Sequence, residues 1–121
     1  VHGEDGMDEI SISAPTRVAE LKNGEVSCYT LSPADFGMEM ADVAALKVDS
    51  AEQSLAMIRT VLADQAGPAR DIVCRNAGAA IYVSGCAATL AAGVEAAQAA
   101  ISSGKAAQVL ENLVARTNAD D

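Results

Sequence analysis

Seven consecutive residues, Gly3-Glu4-Asp5-Gly6-Met7-Asp8-Glu9, carry four carboxylates and two glycines. Negative charges at that density repel one another unless a cation relieves them. Hard oxygen donors suit magnesium, which takes one or two protein carboxylates and completes its shell with water and phosphate oxygens. The spacing departs from the D-x-[DN]-x-[DN]-G calcium loop, so an EF-hand is a poor fit. Judged from residue types alone, the segment is either a solvated acidic turn or a magnesium site.

Other residues with chemical potential have plainer readings. The one histidine, His2, adjoins the acidic loop and is expected to support it through ordinary hydrogen bonds. Cys28, Cys74 and Cys86 are odd in number and lack C-x-x-C spacing, so neither a disulfide framework nor a zinc site is indicated. They are expected to be reduced thiols of a cytoplasmic protein. Asn76 stands on an otherwise apolar helix and is expected to satisfy backbone groups, because buried amides need partners. Met7, Met38, Met40 and Met57 share no stripe and read as gap fillers.

The elements that must hold the acidic loop come next. Ile10 and Ile12 alternate with Ser11 and Ser13, a strand pattern. Thr16–Leu21 and Glu25–Leu31 flank Lys22-Asn23-Gly24, and Asn-Gly tolerates the positive φ angles of a tight hairpin. Ser32-Pro33-Ala34-Asp35 suggests a short helical turn stopped by Gly37. Ser50 and Gln53 fit a capping box, opening a helix whose stripe is Ala51, Leu55, Ile58 and Leu62. Gly67-Pro68 starts a second helix running to about Ser84, with Gly85 as terminator. Ile72, Val73, Ala77, Ala80, Ile81 and Val83 make it apolar on most of its circumference, so it is expected to be central, with small residues admitting close neighbours. Thr89 caps a third helix with the stripe Leu90, Val94, Ala97 and Ile101; a fourth uses Ala106, Leu110 and Leu113 before a polar tail, residues 117 to 121, that should fray.

The chain has 121 residues, within the range of one domain. It opens without Met on residues that read like the end of a buried strand, so part of a domain is expected: residues 1–31 loop, strand and hairpin, residues 32–121 mainly helical. Half of the residues are hydrophobic but only 2% aromatic, which favours close-packed helices. Apolar runs fall far short of the roughly 20 residues of a membrane span. A net charge of −9 repels a nucleic-acid backbone. Neither membrane nor nucleic acid is an expected partner.

Val1-His2-Gly3-Glu4-Asp5-Gly6-Met7-Asp8-Glu9 resembles the V-H-G-x-D-G-L-D-E motif of anthranilate phosphoribosyltransferases, with Met7 replacing Leu at similar volume. Ser32-Pro33-Ala34-Asp35-Phe36-Gly37 is similar to that family's T-P-E-D-F-G segment, and Ala45-Leu46-Lys47-Val48-Asp49 follows at a familiar distance. Arg70-Asp71-Ile72-Val73 leads into Asn76-Ala77-Gly78-Ala79-Ala80-Ile81-Tyr82, similar to the family's N-A-A-A-A-L-Y helix. Ordered matches at family spacing across the chain are more specific than any one of them.

The resemblance implies an α/β fold, the C-terminal part of a mostly parallel sheet domain, here a β-hairpin region followed by a helical cluster. It implies transfer of a phosphoribosyl group from phosphoribosyl diphosphate to anthranilate, releasing diphosphate, in tryptophan biosynthesis. It gives Asp8 and Glu9 the role of magnesium ligands and the intact enzyme the form of a cytoplasmic homodimer. The family's G-T-G-G-D, K-D-S-N-L-like and N-H-G-N-R segments and its helical N-terminal domain normally precede this motif. These 121 residues alone are therefore expected to bind magnesium weakly, to lack transferase activity and to self-associate through exposed strand edges. Two rivals stand beside this reading: a noncatalytic interaction module that docks through the hairpin, and a nucleoside phosphorylase or other transferase of the same architecture.

Overall fold

A computed structural model describes residues 1–119. The strands are β1 (His2–Gly3), β2 (Thr16–Lys22) and β3 (Glu25–Leu31), followed by 3-10 turns at Pro33–Phe36 and Val43–Leu46 and by helices α1 (Ala51–Leu62), α2 (Pro68–Val83), α3 (Leu90–Ser102) and α4 (Lys105–Thr117). Asp120 and Asp121, at the end of the tail expected to fray, lie outside the described residues.

The sheet has the order β1-β2-β3, antiparallel at both junctions. Asn23 (φ 54°) and Gly24 (φ 82°) are both left-handed, the geometry that lets two residues join twisted strands, and the register runs from Lys22↔Glu25 to Thr16↔Leu31. A two-residue connection can only join antiparallel neighbours. The mostly parallel sheet implied by the resemblance is thus not found among the described residues; what they hold is a small antiparallel sheet with four helices.

The starts of α1, α2 and α3 have local causes. Ser50 Oγ accepts from Gln53 N–H at 3.2 Å, while the Gln53 side chain reaches one residue further back than a capping box requires and accepts from Asp49 N–H at 2.8 Å. Thr89 Oγ1 accepts from Ala92 N–H at 3.1 Å, and Pro68 occupies the first turn of α2. Between α1, α2 and α3 lies a core of Val61, Cys74, Val94 and Ile101, against which Phe36, Met38, Ala69 and Ala106 pack.

The tightest contact is α2 against α3. A Cβ placed on Gly78 would lie 2.6 Å from the Val94 Cα and N, so glycine lets the two backbones touch. This crossing buries Cys74 and Gly78 of α2, Arg75 is buried towards Ser11 and Met38, and Val73 (43%) and Val83 (80%) are exposed. The expectation of little wet surface is therefore corrected at Val73, Ala80 and Val83, while Ile72, Ala77 and Ile81 are half-buried and the small residue Gly78 admits the close neighbour as expected. On α4, Ala106 and Leu110 are half-buried and Leu113 is 57% exposed.

Candidate acidic loop site

The acidic segment leaves β1 and turns at once. Gly6 N–H donates to Gly3 C=O at 2.9 Å, and Gly3 N–H donates to Met7 C=O at 2.8 Å. Gly6 sits at φ 89°, a conformation costly for a residue with a Cβ. Glu4 N–H donates to Pro15 C=O at 2.9 Å, anchoring the turn to the start of β2. Gly3 is buried, and a Cβ there would lie 2.5 Å from Asp5 Oδ1.

The four acids of the loop separate by role. Asp5 is consumed by the loop itself: Oδ1 accepts from Met7 N–H at 3.2 Å, and Oδ2 accepts the Ser11 hydroxyl at 2.6 Å and the Ser13 hydroxyl as well. Those two hydroxyls, Ser11 foremost, hold its carboxyl below the usual carboxylate range. Glu4 forms an exposed ion pair with Arg17 at 3.3 Å. Asp8 and Glu9 are exposed, and their carboxylates accept no hydrogen bond among the described residues. The expected magnesium ligands are thus the two acids that nothing within the loop engages. His2 is exposed and pairs with Arg17 through the sheet; among the described residues its ring makes no hydrogen bond, contrary to the supporting role expected for it.

Beyond Glu9 the chain runs through residues 10–13, and here the strand pattern misleads. Ile10, Ser11 and Ile12 are all buried, at 3%, 1% and 0% exposure, so alternation does not reach the surface. Their backbone groups bond to side chains and to a distant loop instead of a sheet ladder. Ile10 N–H donates to Asn76 Oδ1 at 2.9 Å, and Asn76 Nδ2 donates to Ile10 C=O at 3.1 Å and to Ile72 C=O at 3.0 Å. Ser11 N–H donates to Thr16 Oγ1 at 2.9 Å, Arg75 Nη1 donates to Ser11 C=O at 2.5 Å, and Ala41 N–H donates to Ile12 C=O at 3.0 Å. Two consecutive residues of α2 therefore hold the two residues that follow Glu9. Asn76 matches the role read from sequence. The inward-facing Arg75 emerges only from the structure: one arginine in an apolar run gives no sign of its direction.

A second polar cluster ties the hairpin to α2. Tyr82 donates to Glu20 Oε1 at 2.6 Å, Tyr29 donates to Glu20 Oε2 at 3.0 Å, and Lys22 donates to the Tyr82 hydroxyl at 2.9 Å. The Tyr82 and Tyr29 hydroxyls lower the Glu20 pKa. Burial, with the neighbouring Glu20 carboxylate, pushes the Tyr29 phenol up to about 12. Cys28, Cys74 and Cys86 are free thiols, with Cys74 buried. Among the described residues no helix is long and apolar enough to cross a membrane.

The glycosyl transferase family, a/b domain, matches residues 1–107, and the chain belongs to that family. Several relatives are anthranilate phosphoribosyltransferases. The chain is 59% identical over 117 residues to the anthranilate phosphoribosyltransferase of Thioalkalivibrio sulfidiphilus, a match covering 97% of this chain and 35% of that protein. It superposes on the crystal structure of the anthranilate phosphoribosyltransferase of Thermus thermophilus with a TM-score of 0.83 at 36% identity, covering 94% of this chain and 33% of the other. A variant of the Saccharomyces cerevisiae enzyme, solved with magnesium bound, shares the fold at 22% identity and a TM-score of 0.79, covering 91% of this chain and 32% of the other. The chain thus spans about a third of the length of the proteins it resembles.

Proposed function

We propose that these residues are the part of an anthranilate phosphoribosyltransferase that presents Asp8 and Glu9 to the magnesium ion of the phosphoribosyl diphosphate site. The observation that carries the reading is the 59% identity, over nearly the whole chain, to an enzyme of that name. The donor set fits the ion. Two adjacent exposed carboxylates suit a cation that keeps most of its shell for water and phosphate oxygens.

In this reaction the amine nitrogen of anthranilate bonds to C1 of the sugar and releases one proton as the C1–O bond to diphosphate breaks. The magnesium held there would supply Lewis-acid stabilisation of the departing diphosphate without any proton transfer. Asp8 and Glu9 act as holders of charge, and the chain's work is to keep them still. The Gly3–Met7 turn sets their origin, Asp5 closes the loop onto Ser11 and Ser13, and Arg75 and Asn76 pin the backbone after Glu9 to α2. Bare carboxylates would repel a polyanionic substrate, so the bound cation is what makes an acidic loop useful here.

The same reading makes the whole protein a cytoplasmic homodimer. Leu21 (71% exposed), Val26 (67%) and Val83 (80%) support the proposal that these 121 residues alone, inactive as a transferase, self-associate. The test is Asp8→Ala with Glu9→Ala in the full-length protein. Transferase activity with anthranilate should be lost while the melting midpoint stays within the small range of surface substitutions. Normal turnover by the double variant would refute the assignment, and preference for a pyrimidine nucleoside over anthranilate would replace the transferase by a phosphorylase.

A further inference from the structure

Arg75 is fully buried, at 0% exposure, yet its partners are few. Nη1 donates to Ser11 C=O at 2.5 Å, Nε donates to Met38 Sδ at 3.2 Å, and Nη2 has no partner among the described residues. A buried cation with an idle N–H is a poor device for stability. Taking a guanidinium out of water costs free energy that its few bonds here do not fully return. Burial itself lowers the Arg75 pKa, and the nearby Asp71 carboxylate offsets this only in part. What the guanidinium achieves, and a leucine could not, is to grip one carbonyl of the segment that follows the acidic pair.

We propose that Arg75 is a positioning residue for the magnesium ligands: by holding Ser11 C=O it fixes the exit of the loop that carries Asp8 and Glu9. The inference rests on the reading of those two acids as metal holders. Ser11 is also the residue whose hydroxyl bonds Asp5, so Arg75 stabilises at one point both the loop's exit and the internal tie that shapes it. Asn76 performs the neighbouring task at Ile10 and leaves Ser11 C=O to Arg75.

The experiment is calorimetric titration of the full-length protein with magnesium in the presence of inorganic diphosphate, alongside its melting midpoint, for Arg75→Leu and Arg75→Gln. Groups that orient metal ligands typically matter by about 10-fold or more in affinity, so Arg75→Leu should bind the ion on the order of 10-fold more weakly, with a modest fall in midpoint because the buried Ser11 C=O loses its donor. Arg75→Gln, which keeps one N–H for Ser11 C=O, should recover part of that loss. Parental affinity in Arg75→Leu overturns the proposal. So does failure of both variants to fold, because Arg75 is then a core residue only. Asp8→Ala with Glu9→Ala separates the two levels of inference. If that variant binds the ion as the parent does, the metal reading has failed; if it loses binding while Arg75→Leu does not, only the role of Arg75 has.

Discussion

Replacing Asn76 by Ala removes the amide that bonds Ile10 in both directions. Ile10 is 3% exposed, so neither its N–H nor its C=O can turn to solvent without local opening. The N–H loses a 2.9 Å bond and the C=O a 3.1 Å bond, whereas Ile72 C=O lies within α2 and needs Asn76 less. A buried donor left unsatisfied costs about 1–3 kcal/mol and a lost neutral hydrogen bond about 0.5–1.5, so the substitution should destabilise by roughly 2–4 kcal/mol. For a domain of this kind each kcal/mol moves the melting midpoint by roughly 2–4 °C, which predicts a fall on the order of 4–16 °C. Differential scanning fluorimetry of the full-length protein reads this directly. Asn76→Asp adds a sign. The carboxylate can still accept from Ile10 N–H but repels Ile10 C=O, so the variant should be less stable than the parent and regain stability on acidification, when a protonated carboxyl can donate to that C=O. An Asn76→Ala midpoint equal to the parent's, or an Asn76→Asp variant indifferent to pH, would show that side-chain anchoring does not hold the loop exit.

Other expectations follow from the same contacts. Gly78→Ala places a Cβ 2.6 Å from the Val94 backbone and should cost about 1–3 kcal/mol through separation of α2 from α3, seen as a lowered midpoint. Asp5 has a folded pKa below its ordinary 3.8, so its contribution to stability is present above that pH and is lost as pH falls through the depressed value. Ser11→Ala with Ser13→Ala should flatten this acid dependence, and an acid titration of the midpoint checks it. Tyr82→Phe removes the largest cause of the lowered Glu20 pKa, so Glu20 should titrate closer to 4.5 in carboxyl NMR; no change would deny the Tyr82–Glu20 bond.

Much of this chain could be read from local chemistry. The Asn23-Gly24 turn, the Pro33 turn ended by Gly37, the Ser50 and Thr89 caps and the Pro68 start all depend on a few neighbouring residues, and they occur where the sequence puts them. The turn of the acidic loop is legible for the same reason, with two glycines among seven residues, whereas residue types alone leave both a solvated turn and a cation site open. Tertiary structure decided the rest. Ile10-Ser11-Ile12 has the alternation of a strand, but its hydrogen bonds go to Asn76, Thr16, Arg75 and Ala41, which come together only on folding. The burial of Cys74 and Gly78 on α2 came with the approach of α3 to Gly78. The division of four similar carboxylates into one internal tie, one surface ion pair and two left unengaged likewise arose from contacts with residues outside their seven-residue segment, which is why residue type and spacing alone could not distribute those roles.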